Sequence, residues 1–150
     1  MATSISAANL TVTITTQITL NGQSINSENQ LVIPSITEFD KRIMTLPITA
    51  ETTVIAFGTG VAAGTFVSGN LKYLQITNKD VVNYCRIRVK KNGADTFDQR
   101  LDAGQSFIMG NTKESVSATA AVWAVFQDCD SVNAQAYVAP IDIEYVVASI

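Results

Sequence analysis

Three carboxylates, Asp95, Asp98 and Asp102, cluster in one short stretch of the sequence. Three carboxylates within eight residues are potential oxygen ligands for Ca²⁺, but their spacing matches no EF-hand loop. Aspartate is also common in turns, because its side chain hydrogen-bonds to the backbone nearby. We therefore expect these residues to form turns and charged strand faces, and the sequence predicts no metal site.

A second pattern with chemical potential is Gly58-x-Gly60-x-x-x-Gly64, which follows a run of apolar residues. Glycines in this position bind dinucleotides when a helix begins directly after them and points its N-terminus at the pyrophosphate. Residues 65–70 have no helical periodicity, so that context is missing. The pattern instead predicts a loop that contacts a neighbouring protein, and it indicates no cofactor and no small-molecule substrate.

The chain contains no histidine and two cysteines, Cys85 and Cys129. Histidine is the commonest general base and metal ligand, and it is the base of Ser-His triads, so its absence removes most hydrolytic and zinc chemistry. The cysteines are too far apart for a zinc ligand pair. We expect two thiols that are not joined, because Cys85 falls on an apolar strand face and no secretion signal is apparent. The sequence thus predicts a protein without enzymatic activity.

Four of the ten basic residues fall between positions 86 and 91, although the net charge of the chain is -3. The acidic balance argues against a general nucleic-acid binder, which needs many cations to neutralise phosphates. Arg86, Arg88 and Lys90 alternate with apolar residues and so share one face of a predicted strand. This face is either a solvated surface that discourages edge pairing or a contact surface for an acidic partner.

Strand periodicity dominates the chain. Apolar residues alternate with mainly threonine from Leu10 to Leu20. They alternate with mainly basic residues from Tyr84 to Lys91, and a similar alternation, with Asp142 and Glu144, runs from Ile141 to Val147. Asn21-Gly22 and Asn92-Gly93 are typical of hairpin turns, because both positions of such a turn need positive φ. The remaining predicted strands are Leu31–Ile33, Thr52–Phe57, Thr96–Leu101, Ser106–Met109 and Val116–Gln127.

Between these strands we expect loops at Gln23–Gln30 and at Asp128–Asn133, a strand stop at Pro34, and a reversal over Asp102–Gly104. Pro47 cannot donate to a strand ladder, so it should lie at an edge, a bulge or a strand end. About eight to ten short strands at intervals of roughly ten residues predict an all-β antiparallel sandwich with a jelly-roll-like arrangement. We expect a flexible N-terminal arm over residues 1–9 and a single β-sandwich domain over residues 10–150.

The surface of this domain should be partly covered by other subunits. Hydrophobic residues make up 47% of the chain and charged residues 15%, whereas soluble domains carry about 25% charged residues. No stretch approaches the roughly 18 apolar residues of a membrane-spanning helix. The composition therefore predicts a homo-oligomer that binds neither a membrane nor nucleic acid.

Three stretches give the chain a family resemblance: residues 18–25, residues 73–78 and residues 103–109. Within a short, histidine-free sequence rich in Thr, Asn and Ala, they resemble small structural proteins of tailed-bacteriophage virions. The nearest subgroup is the capsid decoration, or cement, proteins. The resemblance implies a trimer or another homo-oligomer, with a trimer favoured. It also implies a protein that is made in the host cytoplasm, binds the major capsid protein or other virion proteins, and stabilises the head without catalysis.

Two other functions remain open at the level of sequence. One is a structural protein of the phage tail or fibre. The other is a carbohydrate-binding sandwich module, which would use exposed aromatic rings such as those of Tyr73, Tyr84 and Tyr137. For contacts with a protein partner, the sequence favours the glycine loop, the basic strand and the N-terminal arm; the residues concerned are Gly58, Gly60, Gly64, Arg86, Arg88 and Lys90.

Overall fold

The structure, a computed structural model, describes residues 6–58, 65–67, 69–91, 94–110 and 129–150. Within these ranges the regular elements are eleven β-strands. They are β1 (Ala8–Leu20), β2 (Gln23–Ile36), β3 (Glu38–Leu46), β4 (Thr52–Gly58), β5 (Thr65–Val67), β6 (Leu71–Asn78), β7 (Cys85–Lys91), β8 (Ala94–Leu101), β9 (Ser106–Gly110), β10 (Ser131–Ala136) and β11 (Ile141–Ser149).

Two of the sheets form a sandwich. One has five strands in the order β5-β4-β10-β7-β8, and the other has four in the order β3-β11-β6-β9. Neighbouring strands are antiparallel except for the short parallel pair of β4 and β5. This arrangement confirms the predicted all-β antiparallel sandwich.

The core lies between these two sheets and follows from alternation along the strands. On β7 the inward residues Cys85, Ile87 and Val89 are buried. On β11 every second residue from Ile141 to Val147 is buried in the same cluster. Because side chains on a strand point alternately to opposite faces, the residues between them lie on the outer faces of the two sheets.

The third sheet is a long hairpin formed by β1 and β2, which we call the arm (residues 8–36). Its turn is the predicted one, since Asn21 and Gly22 have φ values of 50° and 78°. The prediction of a loop over residues 23–30 is wrong, because this polar stretch pairs residue by residue with β1. Its polarity reflects exposure, since every residue from 13 to 30 is exposed.

The base of the arm, its root, is seated on the outer face of the four-stranded sheet. Buried Ile33 and Ile36 form a cluster with Tyr73 and Ala148, against which further partly buried apolar residues pack: Leu10, Val12, Leu31, Val146 and Ile150. The root reaches the end of β9, where a Cβ on Gly110 would lie 2.9 Å from Cδ2 of Leu31.

Pro34 does not end β2, contrary to the prediction. Ala8 pairs with Ile36 and Leu10 with Ile33, so two residues of β2 lie opposite one of β1 and form a bulge. Pro34 sits in this bulge, followed by Ser35 with a φ of 61°. A residue in a bulge needs no ladder hydrogen bond, and proline is therefore tolerated there.

One further prediction about an element is wrong. The predicted loop over Asp128–Asn133 contains the start of β10, a central strand of the five-stranded sheet. The predicted reversal at residues 102–104 is present, with a φ of 73° at Gly104, and it leads from β8 to β9 in the other large sheet. The predicted strand Val116–Gln127 and the turn residues Asn92-Gly93 lie outside the described residues, although Lys91 and Ala94 on either side of that turn do pair.

Candidate assembly surfaces

The glycines predicted to contact a partner are only partly described. Gly58 is exposed at the end of β4, where it pairs with Val67 in the parallel strand β5. Gly60 and Gly64 lie outside the described residues, as do residues 1–5 of the predicted N-terminal arm. The part of that arm from Ala8 onward belongs to β1.

The basic residues of β7 do lie together, on the outer face of the five-stranded sheet. Glu51 accepts contacts from all three: Arg86 at 3.2 Å, Arg88 at 3.3 Å and Lys90. Asp98 forms a bidentate pair with Arg88, with both N···O distances 2.7 Å. These two carboxylates offset much of the positive charge, so the face offers a partner less net charge than the sequence run indicates.

The same contacts shift the carboxylate pKa values. Burial pushes the pKa of Glu51 upward, but hydrogen bonds from Lys90 and Asn133, together with the charges of Lys90 and Arg88, outweigh burial and leave the pKa below its ordinary value. Hydrogen bonding from Arg88 is the main reason that the pKa of Asp98 is lowered. Both groups are therefore held as carboxylates, and the face is a network of paired charges.

The candidate sugar-binding aromatics do not form an open platform. Tyr73 is only 3% exposed, because the root covers it, so the expectation that its ring faces solvent is wrong. The rings of Tyr84 and Tyr137 stack on each other with centroids 5.6 Å apart. The guanidinium of Arg100 lies 4.0 Å from the centroid of Tyr84, and that of Arg86 lies 5.4 Å from the centroid of Tyr137.

Two of the aspartates considered as calcium ligands are engaged elsewhere, and the side chain of Asp95 lies outside the described part of the structure. Asp98 pairs with Arg88, and Asp102 pairs with Arg100 at 2.6 Å. In the part of the chain that the structure describes, no three His, Cys, Asp or Glu side chains are placed to hold a metal ion. The sulfurs of Cys85 and Cys129 are not joined, as predicted. Among the same residues there is no helix of the length and apolarity needed to cross a membrane.

An open cleft of about 370 Å³ lies between β3 and β4, lined by Arg42, Ile43, Met44, Thr53, Val54 and Tyr145. Its charged group is already paired, since Nε of Arg42 lies 2.9 Å from Asp40. The hydroxyl of Tyr145 also donates to Asp40, at 3.3 Å. The cleft is therefore part of the exposed flank of β3, beside the exposed side chain of Ile43.

A surface that the sequence did not single out lies at the end of the sandwich away from the root. Here the loops between strands present an unusual set of exposed apolar side chains, which we call the loop end: Ile48, Val81, Val82, Tyr137 and Val138. Val81 is 89% exposed and Val82 is 79% exposed. Exposed apolar groups that stand together in this way commonly mark interaction sites.

Hydrogen bonds fix the turn that carries Val81 and Val82 in the loop end. The buried amide of Asn78 donates to the carbonyl oxygens of Asn83 at 2.9 Å and Leu101 at 3.2 Å. A carboxylate oxygen of Asp80 accepts from the backbone N–H groups of Val82 at 2.7 Å and Asn83 at 2.6 Å. These backbone donors lower the pKa of Asp80. The two valines are thus presented on a fixed turn.

A second apolar surface lies on the free part of the arm, residues 13–30. Ile14, Ile18 and Leu20 alternate along β1, and Ile25 lies opposite Ile18 on β2. Directly opposite residues share a face, so these four side chains form one row, which we call the arm stripe. They are 42–58% exposed. The other face of the arm is mainly Thr, Gln, Asn and Ser.

Sequence reasoning found one strand of the arm surface and did not find the loop end. The alternation of Leu10 to Leu20 predicted the strand that carries the stripe, but it placed the opposite strand in a loop. A signal for the loop end was present, because Val81-Val82 stands between polar residues in a stretch too short for a strand. Nothing in the local sequence indicated that Asn78 would be fully buried.

Comparison with known proteins adds no relative to this picture. The chain matches no protein-family model, no curated protein sequence and no solved structure.

Proposed function

We propose that this protein is a non-enzymatic structural protein of a bacteriophage virion, and that it decorates the capsid shell and stabilises it. The observation that carries the proposal is that one small sandwich presents two separate apolar surfaces, the arm stripe and the loop end. A binding module with one ligand needs one such surface. A protein built into a lattice needs at least two, because it must contact both the lattice and its own neighbours.

The loop end is the better surface for the shell. Val81 and Val82 project from a turn fixed by Asp80 and Asn78, so little side-chain or loop entropy is lost when they are covered. Each copy would bury only a small patch. Several copies held together would nevertheless bind tightly, because their weak contacts engage at the same time.

The resemblance of residues 18–25, 73–78 and 103–109 to decoration proteins supports the choice of a virion over other assemblies. It also supports the expected partners, namely other copies of this chain and the major capsid protein, and a site of synthesis in the host cytoplasm. A role in the tail or fibre uses the same two surfaces, so the two locations differ in which virion part binds the loop end.

The test is binding to undecorated shells made from the major capsid protein of the same virus. Wild type is expected to sediment with the shells and to raise the temperature at which they release their contents. Val81→Asp/Val82→Asp should reduce shell binding at least tenfold, because two charges would be desolvated at the contact. Val32→Asp is the matched control, since Val32 is an exposed valine on the opposite face of the arm from the stripe.

The binding of wild type and of the loop-end variant distinguishes a decoration protein from a tail or fibre protein, and the loop end from another contact surface. Loss of binding in the loop-end variant alone supports the proposal. If wild type neither sediments with shells nor raises their disruption temperature, the decoration role is wrong and a tail or fibre location becomes the better structural assignment. Equal binding by wild type and the loop-end variant would mean that another surface contacts the shell.

A further inference from the structure

The arm stripe is an apolar surface without cover among the described residues. Ile14, Ile18, Leu20 and Ile25 are between 42% and 58% exposed, and all of residues 13–30 are exposed. A two-stranded hairpin by itself is only marginally stable in water. Packing of the stripe on another surface would therefore remove apolar side chains from water and stabilise the arm.

The root shows which kind of surface the stripe fits. Leu10, Val12 and Leu31 lie on the same face of the arm as the stripe, by the pairing of Leu10 with Ile33 and of Val12 with Leu31. At the root this face packs on the outer face of the four-stranded sheet, around Tyr73 and Ala148. One continuous row of apolar side chains is thus half seated on this sheet and half exposed.

The same sheet face continues beyond the root and carries exposed apolar groups of its own. Phe39 and Ile43 on β3 are 59% and 64% exposed, and Ile108 on β9 is 41% exposed. All three face outward, because their partners in register, such as Ala148 for Phe39 and Glu144 for Ile43, lie on the outer side of β11. The chain therefore holds two uncovered apolar surfaces of the same kind.

The two surfaces match in their spacing. Along β3 the outward residues are Phe39, Lys41 and Ile43, an apolar-polar-apolar order with a step of two residues. Along β1 the stripe has the same order and step in Ile14, Thr16 and Ile18. A step of four residues is about 14 Å in each strand, so the apolar residues can meet in two places while the polar residues meet between them.

One arm cannot cover its own sheet in this way, since its root already crosses the end of that sheet and both the stripe and Phe39 are exposed in the folded chain. We propose that the arm of one copy lies on the outer face of the four-stranded sheet of a second copy, with its stripe against Phe39 and Ile43. This deepens the proposed function, on which it rests for the view that the arm serves assembly.

The area involved indicates how many such contacts are needed. The free part of the arm is roughly 27 Å long and 10 Å wide, so one arm on one sheet removes about 600 Å² in total from water. Stable protein interfaces bury about 1,200–2,000 Å². A single arm contact is too small, whereas the two contacts of a copy that donates one arm and receives one reach the lower limit together. Both contacts join the same two copies in a closed dimer, and in a closed ring each copy is held by one contact on either side.

Cross-linking between differently labelled copies tests the contact directly. In a Cys129→Ser background, one sample carries Ile18→Cys and a second, of different mass, carries Ile43→Cys. After mixing, a bismaleimide with a spacer of about 10 Å should join the two masses. Gln17→Cys replaces Ile18→Cys in the control, because Gln17 lies on the opposite face of the same strand and should give at least tenfold less product.

The oligomeric state provides the second measurement. By light scattering, wild type is expected to be an oligomer at micromolar concentration. Ile18→Asp and Ile43→Asp should each weaken the association at least tenfold, whereas Gln17→Asp should not. A monomeric wild type would overturn the inference and would indicate cover for the stripe from within the chain or from another protein. Dissociation by Ile18→Asp alone, without the cross-link to position 43, would also overturn it in favour of arms packed on one another.

The cross-linking and light-scattering results are independent of the shell-binding assay. Arm-linked oligomers that fail to bind shells would remove the decoration role and leave this inference intact. If the protein binds shells but its oligomer is unaffected by Ile18→Asp and Ile43→Asp, the arm contact is wrong and the decoration role stands.

Discussion

Asn78 is the polar residue on which the loop end depends. It is fully buried, its amide nitrogen donates to two backbone carbonyls, and its side-chain oxygen accepts from the N–H of Asp80 at 2.9 Å. Its own backbone N–H donates to the carbonyl of Gln105 at 2.9 Å. One side chain thus ties the turn after β6 to the end of β8.

Replacement of this residue should be costly. Asn78→Ala would leave two buried carbonyls and one N–H without their partner, so we expect a loss of about 3 kcal/mol in the free energy of unfolding. Urea unfolding measures this loss. Asn26→Ala removes the same side chain from an exposed position on the arm and should change stability by less than about 0.5 kcal/mol. Equal effects of the two substitutions would contradict the role assigned to Asn78.

The carboxylates of Glu51, Asp80 and Asp98 predict how stability depends on pH. Each has a pKa below its ordinary value, which is 4.5 for Glu and 3.8 for Asp. The folded state therefore binds protons less readily than the unfolded state, and the stabilisation is complete above these ordinary values. As the pH falls below them, toward the lowered pKa values, the free energy of unfolding should decrease.

Denaturant unfolding between pH 7 and pH 2 checks this expectation. The curve should be flat above about pH 5 and should fall below it. Glu51→Gln should make the decrease at low pH smaller, because one of the three groups no longer titrates. Glu28→Gln on the exposed arm is the matched substitution, and as a surface change away from these contacts it should alter the free energy of unfolding at pH 7 by less than about 0.5 kcal/mol. A stability that rises toward low pH would refute the assignment.

At the scale of elements, the arm and the sandwich are joined through a small number of buried side chains. Ile33 is fully buried between the arm and the four-stranded sheet, whereas Ile14 on the free part is 42% exposed. The root is separate from the core between the two large sheets. The arm should therefore be able to detach while the sandwich stays folded.

Ile33→Ala tests this separation. Truncating a buried isoleucine to alanine lowers stability by about 2–5 kcal/mol. Here we expect the substitution to favour detachment of the arm and to leave the sandwich folded. Amide hydrogen exchange should accelerate over β1 and β2 at least tenfold and stay near wild type in β7, β10 and β11. Ile14→Ala should change exchange much less. Uniform acceleration through all strands would show that the arm and sandwich unfold together.

The strands that the sequence predicted are those whose alternation is strong. β1, β7 and β11 place branched or large apolar residues at every second position, so a local pattern reports the buried face. The distal part of β2, over residues 23–30, and the strand β10 were missed for different reasons. The distal part of β2 is polar because both of its faces are exposed, and its pairing with β1 is a property of two strands together. β10 has the small residues Ala134 and Ala136 at buried positions, which carry little strand signal.

At the scale of the whole molecule, the sequence predicted a β-sandwich but neither of the apolar surfaces as a surface. Sheet membership depends on long-range pairing, such as that of Glu38 with Ser149, and local periodicity carries no such information. Val81 and Val82 are visible as two valines in a polar stretch, but their exposure follows from the hydrogen bonds of Asp80. Low charge in the composition did indicate that some apolar surface would remain uncovered, and the arm stripe and loop end are such surfaces.

The arm also differs from the sandwich in when it can form. β1 and β2 are joined by a two-residue turn, and hairpins of this kind close in about 1–10 μs. β3, in contrast, pairs with β11, which is close to the C-terminus of the chain. Sandwiches with such long-range pairings fold in milliseconds to seconds. During synthesis the arm can therefore exist, with its stripe exposed, before the sheet that seats its root has been made. Under the arm contact proposed above, a nascent arm would then be able to meet the sheet of a copy that has already folded.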